Sequence, residues 1–246
     1  MIYHTFAQLY DQLFDPAMYE NWRLFTKQKL RSDQQKILDL AGGTGRLAVL
    51  LAQDGYDVTV ADFSADMLSL ADNHAHFADV QLSLVEMDMR DLTGLPQYDA
   101  ITCYADSLCY LDDEAGVQAT FNTVVQHLTA MGTFLFDVIT PYQTDEVYPG
   151  YMYNYEDEDH SQAFMWESFQ NDEVNHGVIH ELAFFNRLAD GHYERIGETH
   201  YERAYDLATI KSLLTKAGFT KVSVESDFGR QPFAEKTMRW FFTCQK

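Results

Sequence analysis

Between residues 36 and 138, short apolar runs alternate with stretches of helical period, which restricts the fold to a largely parallel sheet covered by helices on both faces. The strand-like runs are Lys36–Leu40, Asp57–Ala61, Gln81–Met87, Asp99–Tyr104 and Thr133–Asp137. Helices are expected near Arg46–Gln53, Ser64–His74 and Asp113–Thr129, with Ser64 as an N-cap and Gly55 and Gly132 as stops for the first and last. At the other end, a helix over Leu207–Ala217 stops at Gly218 and is followed by strands Phe219–Ser226 and Thr237–Cys244. Only the ten residues Asp227 to Lys236 join those two strands. A parallel crossover needs about a dozen or more residues and usually a helix, which Pro232 opposes, so the final pair should be antiparallel. The expected fold is α/β: a seven-stranded sheet with an antiparallel last strand, flanked by helices.

Residues 141–204 break this pattern. Helical period gives way to short alternating segments, with turns around Asn171-Asp-Glu173 and at Asp190-Gly191, which predicts an antiparallel β insertion. Residues 1–140 and 205–246 then form the core domain with N-terminal helices. The insertion leaves after the fifth strand, at the carboxyl edge where α/β folds bind ligands, so it should hang over the site as a lid.

At 246 residues and 46% hydrophobic, the chain can bury a full core as one domain with an insertion. It has no run of about eighteen apolar residues and no basic and apolar leader, so neither a membrane span nor a secretory signal is expected, and the cytoplasm is the expected location. Cys103, Cys109 and Cys244 form neither a disulfide framework nor a metal spacing and read as buried thiols. A net charge of −21 disfavours nucleic acid as a partner, since that polyanion is met by basic surfaces. The same charge could serve solubility alone or attract cationic substrates.

The first strand runs through Lys36-Ile-Leu-Asp-Leu into Ala-Gly-Gly-Thr-Gly45 and then a helix. Gly43 and Gly45 allow a tight turn and close approach of a ligand to the backbone, and the helix presents free N–H groups to the turn. Asp62 ends the next strand, where a carboxylate can receive two ribose hydroxyls. Together these indicate a nucleoside-bearing cofactor. Gly43-Thr-Gly45-Arg-Leu-Ala48 also satisfies the dinucleotide fingerprint, so NAD fits the glycines. Asp39 decides between them, because a pyrophosphate beside it is repelled whereas a sulfonium or ammonium is attracted. At about 4 Å that preference is on the order of a few kcal/mol at a surface-like dielectric. S-adenosylmethionine, with two cations and no phosphate, fits better than NAD.

Taken together, these residues resemble the class I S-adenosylmethionine-dependent methyltransferases over nearly the whole chain, with their Rossmann-like sheet. Ile37–Gly45 resembles the family's first motif, Asp62-Phe-Ser-Ala-Asp-Met67 its ribose-binding second and Glu86-Met-Asp-Met-Arg-Asp91 its adenine-binding third. The terminal hairpin is similar to its seventh strand. A narrower resemblance is to small bacterial members of undetermined substrate that carry a β-rich lid and open with a segment like Phe6-Ala-Gln-Leu-Tyr-Asp11. Ala41 stands where many members have a glycine. The resemblance implies that the backbone around Ala41, Gly43 and Gly45 holds the methionine portion and that Asp62 binds the ribose. It further implies that Asp88 accepts from the adenine amino group, that the Met89 amide meets the ring edge, and that Phe63 or Met67 covers a ring face. Tyr10 would close over the methionine end, and Tyr104-Ala-Asp-Ser107 would turn the cofactor toward substrate. Read from the residues alone, Asp88 could cap a turn, Tyr10 could pack in the core with Phe6, Leu13 and Phe14, and Asp106 could be an ordinary loop acid.

Methyl transfer from a sulfonium is an in-line displacement that demands alignment and exclusion of water more than a fixed catalytic group. An amine or hydroxyl acceptor needs a base, for which Asp106, Tyr110 and the lid histidines are candidates. Eight of the fifteen tyrosines fall between Tyr142 and Tyr205, with Trp166 among them. They would line an aromatic pocket or cradle a cation, or else form the lid's own core or a homodimer face. His176 and His180 alternate with Val178 on one expected strand, and without further ligands at the right spacing no metal is expected. The run Glu156–His160 reads as a solvated loop tip. The expected activity is methyl transfer to a small molecule. The alternatives are a methyltransferase acting on protein or RNA, or a non-catalytic cofactor-binding protein.

Overall fold

The computed structural model describes residues 16–246. Helix α1 (Pro16–Lys29) leads into β1 (Lys36–Leu40), α2 (Arg46–Gln53), β2 (Asp57–Asp62), α3 (Ala65–Phe77), β3 (Ser83–Glu86), β4 (Tyr98–Cys103), α4 (Glu114–His127) and β5 (Leu128–Ile139). Four strands follow, β6 (Met152–Glu156), β7 (Gln162–Asn171), β8 (Gly177–Arg187) and β9 (Tyr193–Arg203), and then α5 (Leu207–Ala217), β10 (Lys221–Ser226), β11 (Gln231–Pro232) and β12 (Arg239–Gln245).

The main sheet has the order β11-β10-β12-β5-β4-β1-β2-β3. Strands β1 to β5 are parallel, and β12 lies antiparallel between β5 and β10. The short connection therefore does what its length required. The sheet has eight strands rather than the expected seven, because the connection folds back and Gln231–Pro232 pairs with Glu225–Ser226. A proline is tolerated there since an edge strand leaves one row of N–H groups without a ladder partner. The fold-back is anchored by Phe228, which adopts a positive φ of 53° and packs its ring against Phe241 and Trp22.

Period-two alternation sends successive side chains of the buried strands into two cores. Phe134, Phe136 and Val138 of β5 join Trp240, Phe242 and Cys244 of β12 on the face covered by α4 and α5, with Phe136 and Phe242 stacked at 4.5 Å. Leu135 and Phe241 point the other way, against Trp22 and Phe25 of α1 and Leu47 and Leu51 of α2. Gly132 does not end α4 as expected. The helix stops at His127 and the chain enters β5 at once, since Leu128 is fully buried opposite Tyr98 and needs an extended backbone to reach it.

Strands β6 to β9 form a separate antiparallel sheet in sequence order. Its turns fall where the sequence placed them, Gly191 adopting a φ of 88° between β8 and β9. His176 departs from expectation: it precedes β8 with a φ of 56° and bonds Asp145 at 2.7 Å, so it does not share the His180 face. No helix among the described residues is long and apolar enough to cross a membrane.

Candidate active site

The chain leaves β1 toward β2 on one side and β4 toward β5 on the other, so a crevice opens between the carboxyl ends of β1 and β4. Strained backbone gathers at that edge. Ala41, Ala105 and Asp106 have φ values of 54°, 55° and 52°, in the left-handed region that residues with a Cβ rarely adopt.

On the β1 side the turn is built from main chain. Gly43, at φ 55°, has no atom within 4 Å of where a Cβ would stand, so its backbone faces open space among the described residues. Gly45, at φ 71°, lies so close to α3 that a Cβ would stand 2.7 Å from that of Ala71. Asp62 ties the turn down: one carboxylate oxygen accepts from the Gly43 N–H and the other from the Ser64 N–H, both at 2.9 Å. Burial raises the Asp62 pKa, and the amides of Ser64, Gly43 and Phe63 oppose that rise. Beneath the turn, Asp39 is 3% exposed and accepts a 2.7 Å hydrogen bond from the Thr102 hydroxyl. Burial pushes its carboxyl up to about 7, the Thr102 bond pulls it down, and the Asp62 charge raises it.

Phe63 projects from the end of β2 with 76% of its surface exposed, while Met67 is half-buried and donates its amide to the Ser64 cap. Asp88 is exposed and its two oxygens are gripped by Arg90, whose hydrogen bond holds the carboxyl below the usual carboxylate range. Met89 packs on the core beside it. Tyr104 is buried in the core beneath α1, stacked on Trp22 at 6.0 Å with its hydroxyl 2.8 Å from that of Thr26, so its side chain is taken up by the core. Tyr10 lies outside the described residues.

The β4 side is built from side chains. Asp137, fully buried in β5, accepts from Trp22 Nε1 at 2.7 Å, from the Asp106 N–H at 2.9 Å and from Arg239 Nη1 at 2.9 Å. Arg239 also reaches Asp106 through Nη2 at 2.6 Å. Burial raises the Asp137 pKa against the Arg239 charge. Burial would lower that of Arg239, but Asp106 and Asp137 keep it charged. Sequence reasoning missed Asp137, Arg239 and Trp22. The available signal was a charge inside each of two apolar strands, Phe-Leu-Phe-Asp137 and Arg239-Trp-Phe-Phe.

The second sheet meets this wall. A short 3-10 helix, Ser107–Tyr110, follows Asp106, and the Tyr110 hydroxyl donates to the Glu202 carboxyl on β9. Tyr205 donates to the Leu111 carbonyl at 3.2 Å and Arg203 to the Asp112 carbonyl at 3.1 Å, fixing β9 against the loop. On β8, His180 Nδ1 accepts from Trp166 Nε1 at 3.2 Å, so its proton sits on Nε2 and Ser168 donates to Nδ1 as well. Burial lowers the His180 pKa to about 4, leaving the ring neutral, and the Tyr148 ring stands edge-on to it at 4.7 Å. The aromatic side chains thus divide: Tyr148 and Trp166 surround His180, whereas Tyr153, Tyr155, Tyr193 and Tyr201 are exposed.

The first wall fits S-adenosylmethionine. A carboxyl whose pKa burial raises lies under the turn, where a cation would favour its ionised form, open space faces Gly43, and an exposed aromatic ring follows Asp62. Comparison with known proteins agrees. Residues 37–132 match the family model described as a methyltransferase domain. A protein of Geobacillus sp. (strain WCH70), assigned by name to the methyltransferases, is 36% identical over the whole of both chains. A glycine/sarcosine N-methyltransferase of Halorhodospira halochloris is 27% identical over 91% of this chain and 80% of its own length. The crystal structure of an S-adenosylmethionine-dependent methyltransferase from Clostridium acetobutylicum superposes with a TM-score of 0.85 at 28% identity, covering 99% of this chain and 98% of that one. With motif, sheet order and relatives in agreement along its full length, the chain belongs to the class I S-adenosylmethionine-dependent methyltransferases.

Proposed function

We propose that this methyltransferase acts on the nitrogen of a small-molecule amine. The observation that carries this reading is the acidity of the second wall: Asp106 and Asp137 gather there against one arginine, Arg239, with the Glu202 carboxyl beside them, an environment that draws in a cationic amine and repels an anion. The similarity to a glycine/sarcosine N-methyltransferase supports it. S-adenosylmethionine supplies an electrophilic methyl on a sulfonium. In this reading Asp39 lies below the methionine portion as its counter-charge, and the turn at Ala41, Gly43 and Gly45 lets that portion approach the backbone. Asp62 receives the ribose hydroxyls while its amide bonds keep it in place. Phe63 and Met67 cover the adenine, and Met89 and Asp88 meet its edge once Asp88 shares its oxygens with Arg90. The second wall aligns the acceptor and excludes water.

The test is a mass-spectrometric screen for methylated products across amine, hydroxyl and carboxylate metabolites, with Asp62→Ala as control. N-methylated product that disappears in the control supports the reading. Product formed only from hydroxyl or carboxylate acceptors overturns it.

A further inference from the structure

The buried polar atoms without a hydrogen-bond partner among the described residues include two that neighbour each other at the joint of the two sheets, His180 Nε2 and Glu202 Oε2. The residues are 3% and 8% exposed, and His180 Nε2 stands 3.8 Å from Glu202 Oε1, too far for a hydrogen bond. Leaving a buried polar atom unsatisfied costs about 1–3 kcal/mol, so two on neighbouring residues favour a ligand that completes both. Their chemistry is complementary. The two hydrogen bonds at Nδ1 make His180 Nε2 a donor, and Glu202, once ionised, is an acceptor. With 3.8 Å between His180 Nε2 and Glu202 Oε1, the pair suits a group that offers an N–H and, on a neighbouring carbon, an oxygen acceptor. Hydroxyl is preferred to carboxylate, because Asp106 already loads the same joint with negative charge.

We infer that His180 and Glu202 are the acceptor-binding pair and that the substrate class is a vicinal amino alcohol, as in an amino sugar; this rests on the amine reading above. Glu202 takes a proton from the bound ammonium, giving a neutral amine and a protonated carboxyl. The freed nitrogen lone pair forms the bond to the methyl carbon as the carbon–sulfur bond breaks with its electron pair passing to sulfur. Glu202 then returns its proton to solvent. His180 donates to the neighbouring hydroxyl and holds the nitrogen in line. It is a positioning residue.

The surroundings of Glu202 support the proton step. Asp106 and Tyr110 face it from the loop after β4, Arg239 from β12, His180 from β8, His200 from its own strand, and Tyr148 from the segment after β5. Burial first and Asp106 second push its carboxyl up to about 8, with Tyr110 and Arg239 opposing. Glu202 therefore accepts a proton better as pH rises toward 8, and kcat/KM should climb over that range.

The experiment uses the full chain bound to S-adenosylhomocysteine. Nitrogen-edited NMR follows His180 Nε2 during titration with 2-aminoethanol, glucosamine, glycine and methylammonium. The expected result is a saturable shift with the first two, none with methylammonium, and loss of the response in Glu202→Gln. Turnover of the responding amino alcohol should fall at least ~100-fold in kcat/KM in that variant, with the climb toward pH 8 gone, while His180→Asn raises KM about tenfold at little change in kcat. A purely structural pair would move melting temperature and leave the pH profile alone. An unmoved His180 signal with both amino alcohols overturns the inference, as does a response to glycine alone. Amine methylation at full rate in Glu202→Gln also overturns it and spares the amine reading, whereas methylation confined to non-amine acceptors removes both.

Discussion

The two walls of the crevice are held by different physics. The turn wall is main chain fixed by near neighbours: Gly43 is bonded by a carboxylate 19 positions on, and Ser64 by one two positions back. The acceptor wall is side chain fixed across the whole molecule, with Asp137 reaching Trp22 over 115 positions and Arg239 bridging to Asp137 and Asp106 over 102 and 133. A wall of the first kind serves a constant ligand, because a backbone cradle depends on little besides glycine and one acid. A wall of the second kind varies with each inserted charge, and in the proposed function it is the wall that selects the acceptor.

If that contrast is right, the largest stability loss on removing one side chain should come from the acceptor wall. Arg239→Met leaves Asp137 and Asp106 without their counter-charge, and breaking a buried ion pair from one side destabilises by about 3–5 kcal/mol. Urea unfolding should show this as a drop in midpoint at constant slope. A loss below about 1 kcal/mol would show that Trp22 and the Asp106 amide suffice to hold Asp137.

The same contrast explains what the sequence disclosed. Gly43, Gly45 and Asp62 are legible because their partners lie within one βαβ unit, where spacing constrains geometry. The antiparallel end is legible because ten residues with a proline cannot make a crossover. Asp137 and Arg239 are not, since each sits alone in an apolar strand and its partner is about a hundred residues away. Pairing across that distance is decided by tertiary packing. Strand β11, two residues long, has no period to read, and Gly132 reads as a helix stop because nothing local announces that Leu128 must already be extended. Phe6-Ala-Gln-Leu-Tyr-Asp11, with Tyr10, falls outside the described residues.

A second prediction separates the walls by pH. Asp39 has a folded pKa of about 7 against 3.8 for the ordinary group. A raised acid binds more protons folded than unfolded, so its stabilising contribution is complete below about 4 and is lost as pH rises through 7. The cofactor-free protein should lose on the order of 2–4 kcal/mol over that range from this residue, and Asp39→Asn should remove the loss. Because a bound cation restores ionised Asp39, the melting-temperature gain from S-adenosylmethionine should be larger at pH 8 than at pH 6. An equal gain at both, measured by calorimetry, would separate Asp39 from the cofactor's charge.

Within the turn wall, Asp62→Ala removes the acceptor of two backbone amides. Cofactor affinity should fall about 30- to 100-fold by isothermal titration, matching roughly 2–3 kcal/mol for hydrogen bonds to a charged group. Asp62→Asn should recover part of that loss, since one amide oxygen can still accept. Equal affinities for the two variants would mean that charge rather than hydrogen bonding carries the role.

The smallest expected effect is on stability at Phe63. At 76% exposure its ring buries little in the protein itself, so Phe63→Ala should change unfolding free energy by no more than about 0.5 kcal/mol. Stacking of a nucleobase on an aromatic ring contributes about 1–3 kcal/mol, so the same substitution should weaken S-adenosylmethionine binding roughly 5- to 100-fold. Phe63→Leu should fall between, retaining apolar area without a π face. This prediction sharpens the comparison from the turn side: a residue there that stabilises almost nothing in the fold is expected to govern the ligand, whereas at the opposite wall Arg239 is expected to serve fold and site together. If Phe63→Ala destabilises the chain as much as Arg239→Met does, or leaves binding untouched, the division between a cradle for the cofactor and a woven wall for the acceptor fails at its simplest point.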